Sequence, residues 1–180
     1  MRFGRAGLDG ERLVLQFLIL VIFPACLILA AVNDIATMTI SNWISLVLIV
    51  CFGGLAVAAG MPWVQIGWHF AAGGLVLVIC FALFAFNVLG GGDAKLLSAA
   101  ALWVGWNDLF SLLFMTALIG GPLCVLLMVY RYFPLPGWAY NFEWLYRLHQ
   151  PKAGVPYGVA ICGAGLIVYA ETPLMKTLGA

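Results

Sequence analysis

Charge is what this 180-residue sequence has least of. Only 8% of its residues are Asp, Glu, Lys or Arg, and 65% are hydrophobic, where an ordinary soluble domain is roughly 25% charged. Eight Lys+Arg and seven Asp+Glu cannot cover a globular surface in water, so a soluble domain is excluded and lipid must solvate much of the exterior. Net charge is +1 and no basic block is present, which argues against nucleic acid as a partner. The five cysteines (Cys26, Cys51, Cys80, Cys124 and Cys162) sit far apart in apolar runs and form no CxxC pair. Buried membrane thiols fit that pattern better than a disulfide framework or a zinc site. His69 and His149 are isolated and neither is assigned to a metal; no cofactor is expected.

What is there is a series of long apolar runs. Residues 13–32 are apolar enough, and long enough, to cross a hydrocarbon core of about 30 Å, with Pro24 as a kink point. Arg2, Arg5 and Arg12 precede this run, as in a signal peptide, but it is long for one and no A-x-A site follows, so it is read as a retained first helix. Residues 33–42 form a polar break. A second span follows over 43–59, a turn at Gly60-Met61-Pro62, and a third span from about Trp68 to Leu89. Gly90-Gly91-Gly92-Asp93 makes a second break. Residues 94–106 are apolar but short, a fourth span that would need shelter from its neighbours. Residues 109–130 carry no charge and form a fifth, bent near Gly120-Gly121-Pro122; residues 153–171 form a last one. Between these two, 131–152 interleaves aromatics and charges as membrane-surface segments do. The expectation is an all-α polytopic membrane protein of about six transmembrane helices, one membrane-embedded domain over residues 1–180. Six spans put both termini on one side. Lys95, Arg131, Arg147 and Lys152 then oppose Arg2, Arg5, Arg12 and Lys176, and a balance of four against four leaves the positive-inside rule undecided.

Two carboxylates stand out. Asp34 follows the first run and Asp93 the third. Odd-numbered spans end on the same face, so both lie on one side at similar depth, where an ionisable group is costly and a functional role is the default hypothesis. Two carboxyls brought together do not both ionise easily. The charged one can take a proton from water while its protonated partner polarises a peptide carbonyl. The plainer alternative is a pair of helix-end aspartates acting as caps. Gly90, Gly91 and Gly92 remove every Cβ before Asp93. That permits φ > 0 and close approach of a substrate backbone, or simply a membrane turn. Lys95 is placed either to act on the site or to snorkel towards headgroups. Asn33 and Asn42 are close enough in sequence to hydrogen-bond Asp34.

Three segments together carry a resemblance. Gly90-Gly91-Gly92-Asp93-Ala94-Lys95-Leu96 resembles the GxGD-x-K motif of type IV prepilin peptidases. Asp34 through Asn42 resembles their first motif, an Asp followed by five residues and Ile-Pro-Asn. Val155-Pro156-Tyr157-Gly158 resembles their Pro-Tyr-Gly segment near the last helix. The order and spread of the three cover most of the chain. The resemblance implies a membrane aspartic endopeptidase with Asp34 and Asp93 as the catalytic pair and Gly90, Gly91, Gly92 and Lys95 beside the substrate. The substrate it implies is a pilin precursor, whose short basic leader is cut just before its hydrophobic segment at the cytoplasmic face of the inner membrane. The lipid bilayer and a pilus assembly machinery are the other partners implied. Ser41 stands where the family has Pro, which loosens the loop after Asp34. The chain lacks both the CxxC pairs and the length of the bifunctional members with their N-methyltransferase region. It looks like the short, peptidase-only form of Flp-type (tight-adherence) systems. From the residues alone, a transporter using the two acids as a proton or cation relay and an inactive pilin-binding homologue stay open.

Overall fold

The structure, a computed structural model, describes residues 3–150, 153–172 and 175. Arg2, Lys152 and Lys176, part of the charge balance between the two faces, lie outside them, as do the side chains of Arg5 and Arg12. Every regular element among the described residues is helical: α1 (Phe3–Thr37), α2 (Asn42–Ala58), α3 (Trp63–Ala85), α4 (Gly91–Val104), α5 (Leu109–Tyr132), α6 (Glu143–His149) and α7 (Tyr157–Glu171), with a 3₁₀ turn at Gly137–Asn141 before α6. Each of the six apolar runs is a helix. Leu13–Thr37, Trp63–Ala85 and Leu109–Tyr132 are long and apolar enough to cross a membrane. α2 and α7 are apolar but 17 and 15 residues long, about 25 Å and 22 Å at 1.5 Å per residue. The outward faces are apolar as well: Phe17, Val50, Val78, Phe81, Leu126 and Met128 are all exposed, a surface suited to lipid and not to water. The chain is a polytopic, all-helical membrane protein.

α4 is the central post. At 14 residues it is the shortest of the six, yet every residue from Leu96 to Val104 is buried. α3, α2, α7 and α5 all pack on it, and α1 packs on α7 and α2. Small side chains at Ala99, Ala100 and Ala101 let backbones approach closely, the usual basis of helix association in lipid. At its far end Trp103 is buried against Phe23, Phe52 and Tyr169, with ring centroids 5.3, 5.8 and 6.0 Å away. The polar heads in this cluster find partners within it. Trp103 Nε1 donates to the Leu48 carbonyl and Tyr169 Oη to the Ile19 carbonyl, both at 2.9 Å. His69 Nδ1 lies 2.7 Å from the Leu102 carbonyl, a structural use of a histidine that stands isolated in the sequence.

The ends of α1 and α3 differ from the sequence expectation, as do the starts of α4, at Gly91 inside the expected glycine break, and of α7, at Tyr157 and not at residue 153. α1 does not stop at residue 32 but runs to Thr37, so Asn33 and Asp34 lie in its last turns and not in a loop. The Thr37 hydroxyl donates to the Asn33 carbonyl at 2.8 Å and the Met38 N–H to the Asp34 carbonyl at 2.8 Å, which extends the helix until Met38 turns the chain at φ +54°. α3 begins at Trp63 and ends at Ala85, several residues before the expected limits at each end. Pro62 has the extended backbone that starts a helix, and Asn87 breaks it at φ +57°.

Candidate active site

Asp34, on the last turns of α1, and Asp93, in the first turn of α4, are brought to the same end of the bundle. Asp34 is buried, and its Oδ2 accepts a hydrogen bond of 2.7 Å from the Gly158 N–H in the first turn of α7. Asp93 folds back over Gly90: its Oδ2 lies 2.7 Å from where a Cβ of residue 90 would stand. Ile40, in the short link between α1 and α2, joins the two halves. A Cβ at Gly92 would lie 3.1 Å from the Ile40 Cβ, and one at Gly158 would lie 3.2 Å from its Cδ1. Among the described residues no cation is paired with either; the ion pair found there joins Arg147 to Glu143.

The glycine strip works differently from the expectation of positive φ. Gly90 has φ −69° as the residue before α4, Gly91 and Gly92 are helical, and the glycines with positive φ are Gly60 and Gly105. The close approach is real, but the neighbours are the chain's own: Phe84 against Gly91 and Ile40 against Gly92. A Gly92→Val variant should therefore lose cleavage on the order of 10- to 100-fold through a displaced Ile40 and a shifted carboxyl, while inserting normally. Rates per inserted molecule check this, and an unchanged rate would reduce the strip to a simple turn.

Lys95 does not reach the carboxyls. Two positions along a helix rotate a side chain by about 200°, and its ammonium donates instead to Asn42 Oδ1 at 2.9 Å. Neither Asn33 nor Asn42 bonds Asp34. The Asn33 carbonyl accepts from Thr37, and the Asn42 amide oxygen accepts from Lys95. The 131–152 segment is more than a surface anchor. Arg147 Nη1 donates to the Ala36 carbonyl at 2.7 Å, and Arg131 donates to the carbonyls of Leu148 and Gly154, both at 2.8 Å. These bonds fold α6 onto the end of α1 that carries Asp34.

Reasoning from the sequence left Gly158, Tyr157 and Ile40 out of the site. The signal for Tyr157 and Gly158 was the Pro156-Tyr157-Gly158 segment, whose glycine supplies the bond to Asp34, and that for Ile40 was its place in the Asp34–Asn42 stretch. The Tyr157 ring lies where a Cβ at Gly120 would come within 2.9 Å, so α5 gives up a side chain to admit it.

A helical membrane bundle that holds two carboxyls at one end, neither ion-paired among the described residues, is compatible with a membrane hydrolase or a relay, and comparison with known families narrows it. Residues 21–125 match the type IV leader peptidase family. This stretch is more than half of the chain and contains both aspartates, and the chain belongs to that family. A search of curated proteins and one of solved structures found no match. Membership makes the protein a leader peptidase of the type IV kind, with a pilin precursor as its general substrate.

Proposed function

We propose that the protein is a membrane aspartic endopeptidase in which Asp34 and Asp93 are the catalytic pair, and that it removes the leader of Flp-type pilin precursors at the cytoplasmic face of the inner membrane. The single observation that carries this reading is the convergence of the two carboxyl-bearing helix ends on Ile40. It packs against Gly92 beside Asp93 and against Gly158 bonded to Asp34, with no ion pair to either carboxyl among the described residues. Two carboxyls in one site share a proton. The ionised one takes a proton from a water molecule as that water attacks the scissile carbonyl. The protonated one hydrogen-bonds the carbonyl oxygen and stabilises the tetrahedral intermediate. On collapse, the proton gained from water passes to the leaving amine. The Gly158 N–H fixes the orientation of Asp34, and Ile40 spaces the two halves of the site. The six apolar helices act as one membrane-embedded unit around α4. Incubation with a pilin precursor, followed by mass measurement of the products, tests the reading: a leader released by a single cut before the apolar segment supports it, and an intact precursor refutes it.

Six spans with both termini outside the cytoplasm follow from the same reading, since the 38–41 link, the 86–90 link and the 133–156 segment then share the cytoplasmic face. The exposed Tyr140 provides the check. A Tyr140→Cys variant, in a background freed of the five native cysteines, should be labelled by an impermeant thiol reagent from the cytoplasmic side. Labelling from the opposite side alone would reverse the orientation.

A further inference from the structure

Two arginines at the carboxyl-bearing end direct their donors to backbone carbonyls. Arg131, in the last turn of α5, donates from Nε to the Leu148 carbonyl and from Nη2 to the Gly154 carbonyl, both at 2.8 Å. Arg147, on α6, donates from Nη1 to the Ala36 carbonyl and from Nη2 to Glu143 Oε1, both at 2.7 Å. These bonds approach Asp34 from both sides. Ala36 lies two residues beyond Asp34 in α1. Gly154 lies four residues before Gly158, whose N–H donates to Asp34 Oδ2. Leu148, next in the chain to Arg147, joins the two arms. The result is a closed circuit of hydrogen bonds and short chain segments that begins and ends at Asp34.

Nothing else in the fold duplicates the Arg147 arm. The last carbonyls of a helix have no partner within it. At the end of α1 the Thr37 hydroxyl bonds back to the Asn33 carbonyl and the Met38 N–H to the Asp34 carbonyl, both local contacts. Among the described residues, Arg147 makes the one hydrogen bond that reaches positions 35–39 from another element. Its charge suits a helix C-terminus, where the backbone dipole favours a cation. Its ion pair with Glu143 adds little, because the Glu143 side chain is 86% exposed. We propose that Arg147 is a positioning residue for the reaction, holding the last turn of α1, and with it the Asp34 carboxyl, in register with Gly158. This rests on the peptidase reading above and adds to it the residue that fixes the α1 side of the site. Arg147 itself touches no reacting atom; it acts through the Ala36 carbonyl.

Arg147→Met keeps an aliphatic stem and removes every donor. For a synthetic precursor, made of a basic leader and an apolar helix of about twenty residues, it should lower kcat about tenfold and leave KM within about twofold. Arg147→Gln, whose side chain is shorter than the reach to Ala36, should fall as far, and it serves if the Met variant does not insert. Arg147→Lys keeps a cationic donor and should recover kcat to within about threefold of wild type. Glu143→Gln removes the ion pair alone and should cleave normally. Tyr130→Phe removes a different bond to α6, from Tyr130 Oη to the Leu145 carbonyl at 3.2 Å on the α5 side, and should also cleave normally. The double variant of Arg147→Met and Gly158→Ala gives a readout that a merely structural role would not move. Both changes displace the same carboxyl, so their joint loss in kcat should fall well short of the product of the single losses. An unchanged kcat in Arg147→Met or Arg147→Gln, an equal loss in Tyr130→Phe, or a joint loss equal to the product overturns the Arg147 assignment and leaves the peptidase reading standing. A wild-type protein that leaves the precursor uncut overturns the peptidase reading and this inference with it.

Discussion

Asp34→Asn and Asp93→Asn should each reduce processing of a pilin precursor to background, a loss of at least 10²–10⁴-fold, the range that a positioned proton-transfer group typically contributes. Each change keeps the size of the side chain and removes its ability to cycle a proton. The Gly158 N–H can still donate to an amide oxygen at position 34, so the bundle should insert and fold as before. The double variant should be no worse than either single one, because the two carboxyls act as a unit and removing one already disables the other. Wild-type activity should fall on both sides of an optimum. The reaction needs one proton on the pair, and the two titration steps belong to the pair jointly. Chelators should leave the rate unchanged, because the proposed steps use no metal. Substantial processing by either single variant, at normal membrane levels, would sink the two-carboxyl mechanism.

Much of this arrangement was legible in the residues. Apolar length marks helices in a chain so poor in charge, and all six runs are helices, which satisfy the backbone hydrogen bonds within each segment. The two aspartates were found by the cost of placing charge at such positions, and the fold brings both to one end. Other features were not legible, for identifiable reasons. The end of α1 depends on a Thr37 hydroxyl bonding backwards to Asn33, and a polar stretch reads equally well as a loop. The glycine strip could be read as backbone freedom, but its neighbours Ile40 and Phe84 come from other elements, and spacing along the chain does not reveal them. Lys95 lies two residues from Asp93, yet the helix turns it towards Asn42. The reach of Gly158 to Asp34 spans 124 positions. Only the Pro-Tyr-Gly segment hinted at it, and that hint gave no partner.

Gly158→Ala is the second large effect expected, and it separates position from chemistry. The change adds one methyl group to the first turn of α7, where Ala is by propensity the better helix former, so the helix itself should not suffer. That methyl would stand 2.8 Å from Asp34 Oδ2, 3.1 Å from its Cβ and 3.2 Å from the Ile40 Cδ1. The first distance is too short for any real contact, so the carboxyl must move. The Gly158 N–H bond that orients it then lengthens or breaks. A displacement of about 1 Å in a reacting group can cost on the order of 10²-fold in rate, and the loss should fall on kcat more than on KM, since the substrate's binding surface is untouched. Gly154→Ala is the matching control: it lies four residues upstream, a Cβ there meets nothing within 4 Å, and the carbonyl that accepts from Arg131 is retained. It should cleave at a near-normal rate. Thermal unfolding in detergent should be similar for both variants, which would place the Gly158→Ala defect in the orientation of Asp34 and not in the stability of the bundle. Equal rates for Gly158→Ala and wild type would show that Asp34 does not depend on Gly158 for its working position.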